Sequence, residues 1–307
     1  MQCYRELSTQ KVNTAVALGF FDGLHRGHIS VIQPAAEERK NGLTPVCLTF
    51  NQSPKSVISG TEIPLLMTRE DKVGALESLG IEKTFFIDFE SVMSLGAREF
   101  FESVIAGRLK AKKLFCGFNY RFGKNAAGDV KALGELCAEK GIELAVAPPY
   151  KIGGEVVCST LIKQKIADGK IREANLMLGS PFGFSAPVTH GKRLGRELGT
   201  PTLNQDVREG LIVPRYGVYA SKVTLQSGEV FCGVTNIGVK PTVGGKIPLW
   251  ETWMPNYSGG ELYGQTADVR LLDFIRPEKR FDSLTELKNE ILANSRAALA
   301  VFDKQSA

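Results

Sequence analysis

The chain has 307 residues, 43% of them hydrophobic and 23% charged, which is the composition of a soluble globular protein long enough for about two domains. No apolar run approaches the roughly 18 residues needed to span a bilayer, and the opening Met1-Gln2-Cys3-Tyr4-Arg5-Glu6 lacks the basic-then-apolar layout of a signal peptide, so membrane, collagenous and disordered classes are excluded. The net charge of +5 is too mild to imply nucleic acid and suits anionic small molecules.

From the N-terminus, apolar runs alternate with helical stretches. A strand over 15–20 precedes a helix over 27–41. A strand over 45–50, a helix over 70–79 and a strand over 84–87 follow. A helix over 97–109 leads to a strand over 113–116, and a helix over 130–140 leads to one over 143–147. Strands separated by helices specify a doubly wound parallel sheet, because parallel neighbours need a crossover. Near 178–183 the texture changes. Short strand-like runs over 216–223, 230–234 and 267–272, with glycine and proline turns and no helices between them, predict a small antiparallel β-barrel. Ser283 and Glu286 then have capping-box spacing, and Leu284, Leu287 and Ile291 repeat on one helical face, which predicts a terminal helix. The expected architecture is α/β then β, with domains over 1–182 and 183–307.

Six cysteines are scattered with no pair at C-x-x-C spacing, which argues against a zinc knuckle or a redox dithiol. A reduced, cytoplasmic protein is expected, without a membrane or nucleic-acid partner; the oligomeric state is not legible. Only three histidines occur: His25, His28 and His190. Two of them close the segment Gly19-Phe20-Phe21-Asp22-Gly23-Leu24-His25-Arg26-Gly27-His28, where the first strand becomes the first helix. A helix N-terminus offers unpaired N–H groups and partial positive charge, and so attracts phosphate. Gly27 lets backbone and ligand approach closely. His25 and His28 can each donate to phosphate oxygens as charge builds in a transition state. A metal site fits less well, since no acidic or cysteine partner has matching spacing. The P-loop and Rossmann fingerprints are absent.

At these residues the chain resembles the H-x-G-H nucleotidylyltransferases, and more closely the bacterial bifunctional riboflavin kinase/FMN adenylyltransferase (FAD synthetase) family. That family opens with G-x-F-D-G-x-H-x-G-H, reproduced by Gly19 to His28. Its G-x-D-F-x-F-G is echoed by Gly117-Phe118-Asn119-Tyr120-Arg121-Phe122-Gly123. Its I-S-S-T-x-I-R is echoed by Val157-Cys158-Ser159-Thr160-Leu161-Ile162-Lys163, and A-x-x-L-L-G-x-P-F by Ala174 to Phe182. The resemblance implies attack of the FMN phosphate on the α-phosphorus of ATP, with pyrophosphate leaving. His25 and His28 would stabilise the phosphate charge. Asn119 would line the transfer site. Gly19, Phe20, Asp22, Gly27, Ser159, Thr160 and Lys163 would bind the nucleotide. Three positions depart from the pattern: Asn119 stands for an acid, Lys163 for arginine, and Phe50-Asn51-Gln52-Ser53-Pro54 for F-x-P-H-P, with Ser53 in place of the histidine. Lysine keeps the charge and loses the bidentate fork.

In the second domain His190 to Asn204 overlays the kinase signature G-R-x-L-G-F-P-T-A-N, with Gly191, Gly195 and Arg196 as nucleotide-binding residues. Thr202 and Asn204 would serve Mg²⁺–ATP, a hydroxyl and an amide oxygen being suitable hard ligands. Asn236 to Thr242 matches N-x-G-x-x-P-T, and Glu251-Thr252-Trp253 opens the counterpart of E-T-H-I-F-D-F. Glu251 is then the implied general base for the ribityl hydroxyl, Trp253 a changed pocket rim, and Arg276 and Phe281 structural. The resulting expectation is an enzyme that makes FMN from riboflavin and FAD from FMN, with ATP, riboflavin and FMN as substrates and Mg²⁺ as cofactor. The alternatives are a riboflavin kinase whose altered first half is slowed or kept for binding, a non-catalytic flavin-binding regulator, and a tRNA-charging type of adenylating enzyme, the last disfavoured by the lack of a K-M-S-K-S-like loop.

Overall fold

The computed structural model describes residues 1–190, 200–242 and 245–306, with side chains described there except at 240–247 and 305–306. The chain divides into two compact units, Met1–Ser159 and Thr160–Ala307.

In the first unit six strands form one sheet: β1 (Gln2–Tyr4), β2 (Thr14–Leu18), β3 (Thr44–Phe50), β4 (Lys83–Ile87), β5 (Ala111–Gly117) and β6 (Glu143–Ala147), in the order β1-β4-β3-β2-β5-β6. Every neighbouring pair is parallel. Five of these strands are legible as apolar runs. β1 is not, because three residues carry no period; it exists through its pairing, Gln2 to Lys83 and Cys3 to Thr84. Around the sheet lie α1 (Arg26–Glu37), α2 (Pro54–Ser59), α3 (Arg69–Ser78), α4 (Ala97–Phe100) and α5 (Val130–Lys140). Alternate residues of each strand enter opposite cores. Ala15 and Ala17 pack with Ile32, Ala35, Leu76 and Phe86 on one face. Val16 and Leu18 pack with Phe101, Ile105 and Leu133 on the other. Burial on both faces is why β2 reads as an unbroken apolar run.

The helix expected over 97–109 is divided. α4 gives way to a π-helical stretch, Phe101–Arg108, and Leu109 N–H reaches back five residues to the Val104 carbonyl at 2.9 Å. A Cβ at Gly107 would lie 2.9 Å from the Glu102 carbonyl oxygen, so the widened turn needs glycine.

The strand order decides where a site can form. From β2 the sheet grows through β3 and β4 to one side, then resumes with β5 and β6 on the other. Ligands in such sheets bind beyond the carboxyl ends of the strands at that reversal. The segments leaving β2 and β5 there are those carrying His25, His28 and Asn119.

In the second unit α6 (Ser159–Ala167, whose first residue belongs to the first unit) and α7 (Ile171–Leu178) precede six strands: β9 (Gly183–Pro187), β10 (Thr202–Asp206), β11 (Gly217–Leu225), β12 (Val230–Thr242), β13 (Gly245–Trp253) and β14 (Thr266–Arg276). A small hairpin in the first unit, Lys151–Ile152 with Glu155–Val156, accounts for β7 and β8. The second sheet is antiparallel throughout, in the order β10-β13-β12-β11-β14-β9. Its ends almost meet. Thr189 N–H donates to the Asn204 carbonyl at 2.7 Å, and the buried Gln205 amide donates to the Ala186 and Ala267 carbonyls, each at 2.8 Å. The result is a nearly closed barrel. β9, β10 and β13 are not legible in the sequence, because proline and polar residues interrupt their apolar alternation and only their neighbours hold them extended. Inside, a hydroxyl ladder runs from Ser221 to Thr235 (2.7 Å) and on to Thr252 (2.9 Å) across three strands.

The terminal helix is α8 (Leu284–Ser306). Ser283 Oγ accepts from Glu286 N–H at 3.1 Å, as its spacing predicts. The expected apolar face is shifted, however: Leu284 is 64% exposed. Its apolar packing on the barrel lies further along, where Ala298, Leu299 and Phe302 cover Val218, Ala220 and Leu272.

Candidate active sites

The first site is built on the turn between β2 and α1. Phe21 (φ +54°) and Leu24 (φ +41°) both adopt left-handed backbone conformations there, which costs energy in residues with a Cβ. Gly19 makes the turn possible, since a Cβ on it would lie 2.8 Å from the Phe21 ring. Two donors grip the Phe20 carbonyl: Thr49 Oγ1 at 2.9 Å and the buried Lys72 Nζ at 2.8 Å. Asp22 is buried, and its carboxylate accepts from Leu66 N–H at 2.8 Å. Its carbonyl accepts from Ser159 Oγ at 3.0 Å, tying the start of α6 to the turn.

His25 caps α1. Its Nδ1 accepts from His28 N–H at 3.2 Å, so the ring proton of the neutral form sits on Nε2. The His25 and His28 rings stack at 3.5 Å, with Phe21 edge-on to His28 at 5.3 Å. A Cβ at Gly27 would come within 3.3 Å of the His25 ring and 3.5 Å of the Val157 carbonyl. Burial lowers the His25 pKa to about 4 against the pull of Asp22. Burial, followed by His25 and Lys72, holds His28 well below the usual imidazole range. Both rings are therefore neutral near pH 7, and each carries a single ring N–H and no fixed charge.

These pKa values carry a stability consequence. Folded His25 takes its proton near pH 4 while the unfolded ring does so near 6.5, so the unfolded chain binds more protons in between. The stabilisation is complete above pH 6.5 and is lost as the pH falls toward 4, by roughly 3 kcal/mol for this residue. Urea unfolding of the first unit, followed from pH 7 to 4, should show that slope. A His25→Gln chain with an unchanged slope would remove the imidazole as its cause.

Asn119 lies just beyond β5, exposed. Thr160 and Lys163 lie on α6 after Ser159, exposed and half-buried respectively. At the position lacking the histidine, Ser53 is buried and precedes the short α2, without capping it through its side chain. Nearby, Arg69 donates to Asn51 Oδ1 at 2.9 Å, and Asn51 Nδ2 donates to Asp88 at 2.7 Å.

The second site lies on three barrel strands. Asn204 of β10, Glu251 of β13 and Asn236 of β12 are directly paired in register, so their side chains share one face of the sheet. Thr202, Trp253 and Val234 form the next row on the same face. Asn204 is buried, and its Oδ1 has no partner among the described residues. An orphaned carbonyl oxygen two residues from the Thr202 hydroxyl, on the same face, fits the hard-oxygen donors that a magnesium–nucleotide complex takes. No cluster of three or more His, Cys, Asp or Glu suited to a metal occurs among the described residues. Trp253 packs with the apolar residues under α8. Gly191, Gly195 and Arg196 lie outside the described residues. Arg276 binds Glu290 at 2.9 Å and Asn294 at 3.3 Å, and its guanidinium lies 5.6 Å from the Phe281 ring, so both residues tie β14 to α8.

Sequence reasoning passed over Lys72. The available signal was a lysine standing four residues before the buried Leu76, on the inward stripe of α3.

The FAD synthetase family model matches residues 7–161, and the riboflavin kinase model matches residues 178–302. The bifunctional riboflavin kinase/FMN adenylyltransferase of Bacillus subtilis (strain 168) is 33% identical over 308 residues, covering 96% of this chain and 95% of that protein. The protein of the same name from Escherichia coli (strain K12) is 33% identical over 290 residues, covering 94% and 92%. A solved structure described as a macrolide-efflux protein from Streptococcus pneumoniae has a TM-score of 0.87 at 28% identity, covering 97% of this chain and 99% of that one. No helix among the described residues is long and apolar enough to cross a membrane. With both enzymatic domains present in the order of these relatives, the chain belongs to the bifunctional riboflavin kinase/FMN adenylyltransferase family.

Proposed function

We propose that this bifunctional enzyme phosphorylates riboflavin to FMN at the Thr202–Asn204–Glu251 face and adenylylates FMN to FAD at the His25–His28 turn. The carrying observation is that the two family models together span both halves, with relatives named for both activities matching almost end to end. The kinase-only alternative finds no support there.

In the kinase reaction, Glu251 takes the proton of the ribityl hydroxyl as the γ-phosphoryl group of ATP transfers to that oxygen. Thr202 and Asn204 would hold Mg²⁺, which when bound screens the charge of the phosphates. Gly191, Gly195 and Arg196 are proposed to cover the nucleotide. In the second reaction a phosphate oxygen of FMN attacks the α-phosphorus of ATP, and the bond to the bridging oxygen breaks to release pyrophosphate. The neutral rings of His25 and His28 donate N–H to the oxygens that gain charge. Gly19, Phe20, Asp22 and Gly27 shape the turn that admits the nucleotide. Ser159, Thr160 and Lys163 bind its phosphates from the start of α6, and Asn119 lines the transfer site.

On this reading the functional division falls at residue 182, with the adenylyltransferase over 1–182 and the kinase over 183–307. The partners are then small molecules, without nucleic acid or membrane, and six free cysteines support a reduced, cytoplasmic setting.

Purified full-length chain given riboflavin, ATP and Mg²⁺ should yield both FMN and FAD, resolved by chromatography. FMN alone would leave the kinase standing and end the two-activity reading. Neither product would end both.

A further inference from the structure

One buried cation lies outside the expected motifs. Lys72 is 5% exposed, the only lysine besides Lys165 among the buried polar residues described. Removing an ammonium from water is costly unless it is well used. Its Nζ donates to the Phe20 carbonyl at 2.8 Å and lies 4.4 Å from the centre of the Phe20 ring. The same carbonyl accepts from Thr49 at 2.9 Å. Lys72 therefore holds the residue that enters the strained Phe21–Leu24 turn, while its charge acts on His28.

We propose that Lys72 is a positioning residue for adenylyl transfer: it clamps the turn ahead of His25 and His28 through the Phe20 carbonyl and ring, and holds a fixed positive charge at the base of that turn. Burial is the main reason the imidazole stays neutral, and a permanent cation at this place adds to it, so the ring proton is directed to a phosphate oxygen and is not shared with water. It also adds to the positive end of α1, on the side from which a triphosphate would be drawn. Other ionisable groups lie on the turn, on β3 and on α3. The turn contributes Asp22 and His25. From β3 comes Cys47, whose thiol burial pushes up to about 12, so it stays uncharged. On α3 itself Glu70 and Asp71 lie in the first turn. Removing Lys72 takes away one of the influences that lower the His28 pKa, after burial and His25, and so moves it upward.

This proposal rests on the adenylyl-transfer reading of the turn, and its test has an arm that needs no turnover. In full-length Lys72→Met, FMN adenylylation should fall roughly ten- to a hundredfold through displacement of the turn, and its acid limb should move to higher pH. Riboflavin phosphorylation by the same protein should be unchanged. Lys72→Arg, which keeps the charge, should restore the acid limb and part of the rate. Proton NMR titration of the His28 ring should show the same upward move in Lys72→Met alone. An unmoved His28 titration in Lys72→Met would overturn the proposal. So would a full wild-type rate, or an acid limb displaced equally in Lys72→Arg. If the methionine chain does not fold, Lys72→Gln takes its place: an upward move of the His28 titration and of the acid limb upholds the proposal, and an unmoved titration overturns it. A wild-type chain that makes no FAD would sink the proposed function while leaving the titration interpretable.

Discussion

Replacing Glu251 by alanine is expected to lower riboflavin phosphorylation roughly 10²- to 10⁴-fold, the usual contribution of a positioned general base. The ribityl hydroxyl is a poor nucleophile until its proton has somewhere to go. Glu251 stands in register between Asn204 and Asn236, on the face that carries Thr202, and is half-buried. Glu251→Gln keeps the shape and loses the basicity, so it should be nearly as slow as alanine. FMN adenylylation by either variant should continue, because His25 and His28 belong to the other compact unit. The check is a product-resolved assay started separately from riboflavin and from FMN. A parallel loss of both activities would contradict separate sites, and a glutamine variant at full speed would remove the base assignment.

His28→Ala should show the reverse pattern. Loss of one donor to a developing phosphate charge typically costs 10²- to 10³-fold, or about 3 to 4 kcal/mol of transition-state stabilisation. Alanine also removes the ring that stacks on His25 at 3.5 Å, so part of the loss is structural. His28→Gln separates the two effects. It offers an N–H from a neutral group and should recover part of the rate if donation matters. Riboflavin phosphorylation should be untouched in both variants, and a His28→Ala protein that makes FAD at the parental rate would rule out the assigned role.

The fold was legible to different depths in the two halves. In the first, buried parallel strands announce themselves: Val16, Leu18, Val46 and Leu48 are apolar because both faces of the sheet are covered. In the second, β9, β10 and β13 carry Pro187, Asn204 and Pro248, which no local rule places in a strand. The π-helical turn at Gly107 was equally silent, being a choice between hydrogen bonds of similar local cost that the packing of Phe101 and Ile105 settles.

The candidate sites divide in the same way. Motif spacing placed His25 and His28 at a strand-to-helix turn, and the family resemblance, through its flanking motifs, singled out Thr202, Asn204 and Glu251. Residues that act over a few positions in sequence leave a pattern there. The tertiary structure alone decided that the two imidazoles stack and stay neutral, since burial and neighbouring charge fix a pKa and neither is a property of the local chain. It alone brought Glu251 into line with Asn204 and Asn236, because strand register joins segments separated by loops. It also revealed Lys72, 52 residues from the carbonyl it binds, since a buried cation is recognisable only once its partners surround it.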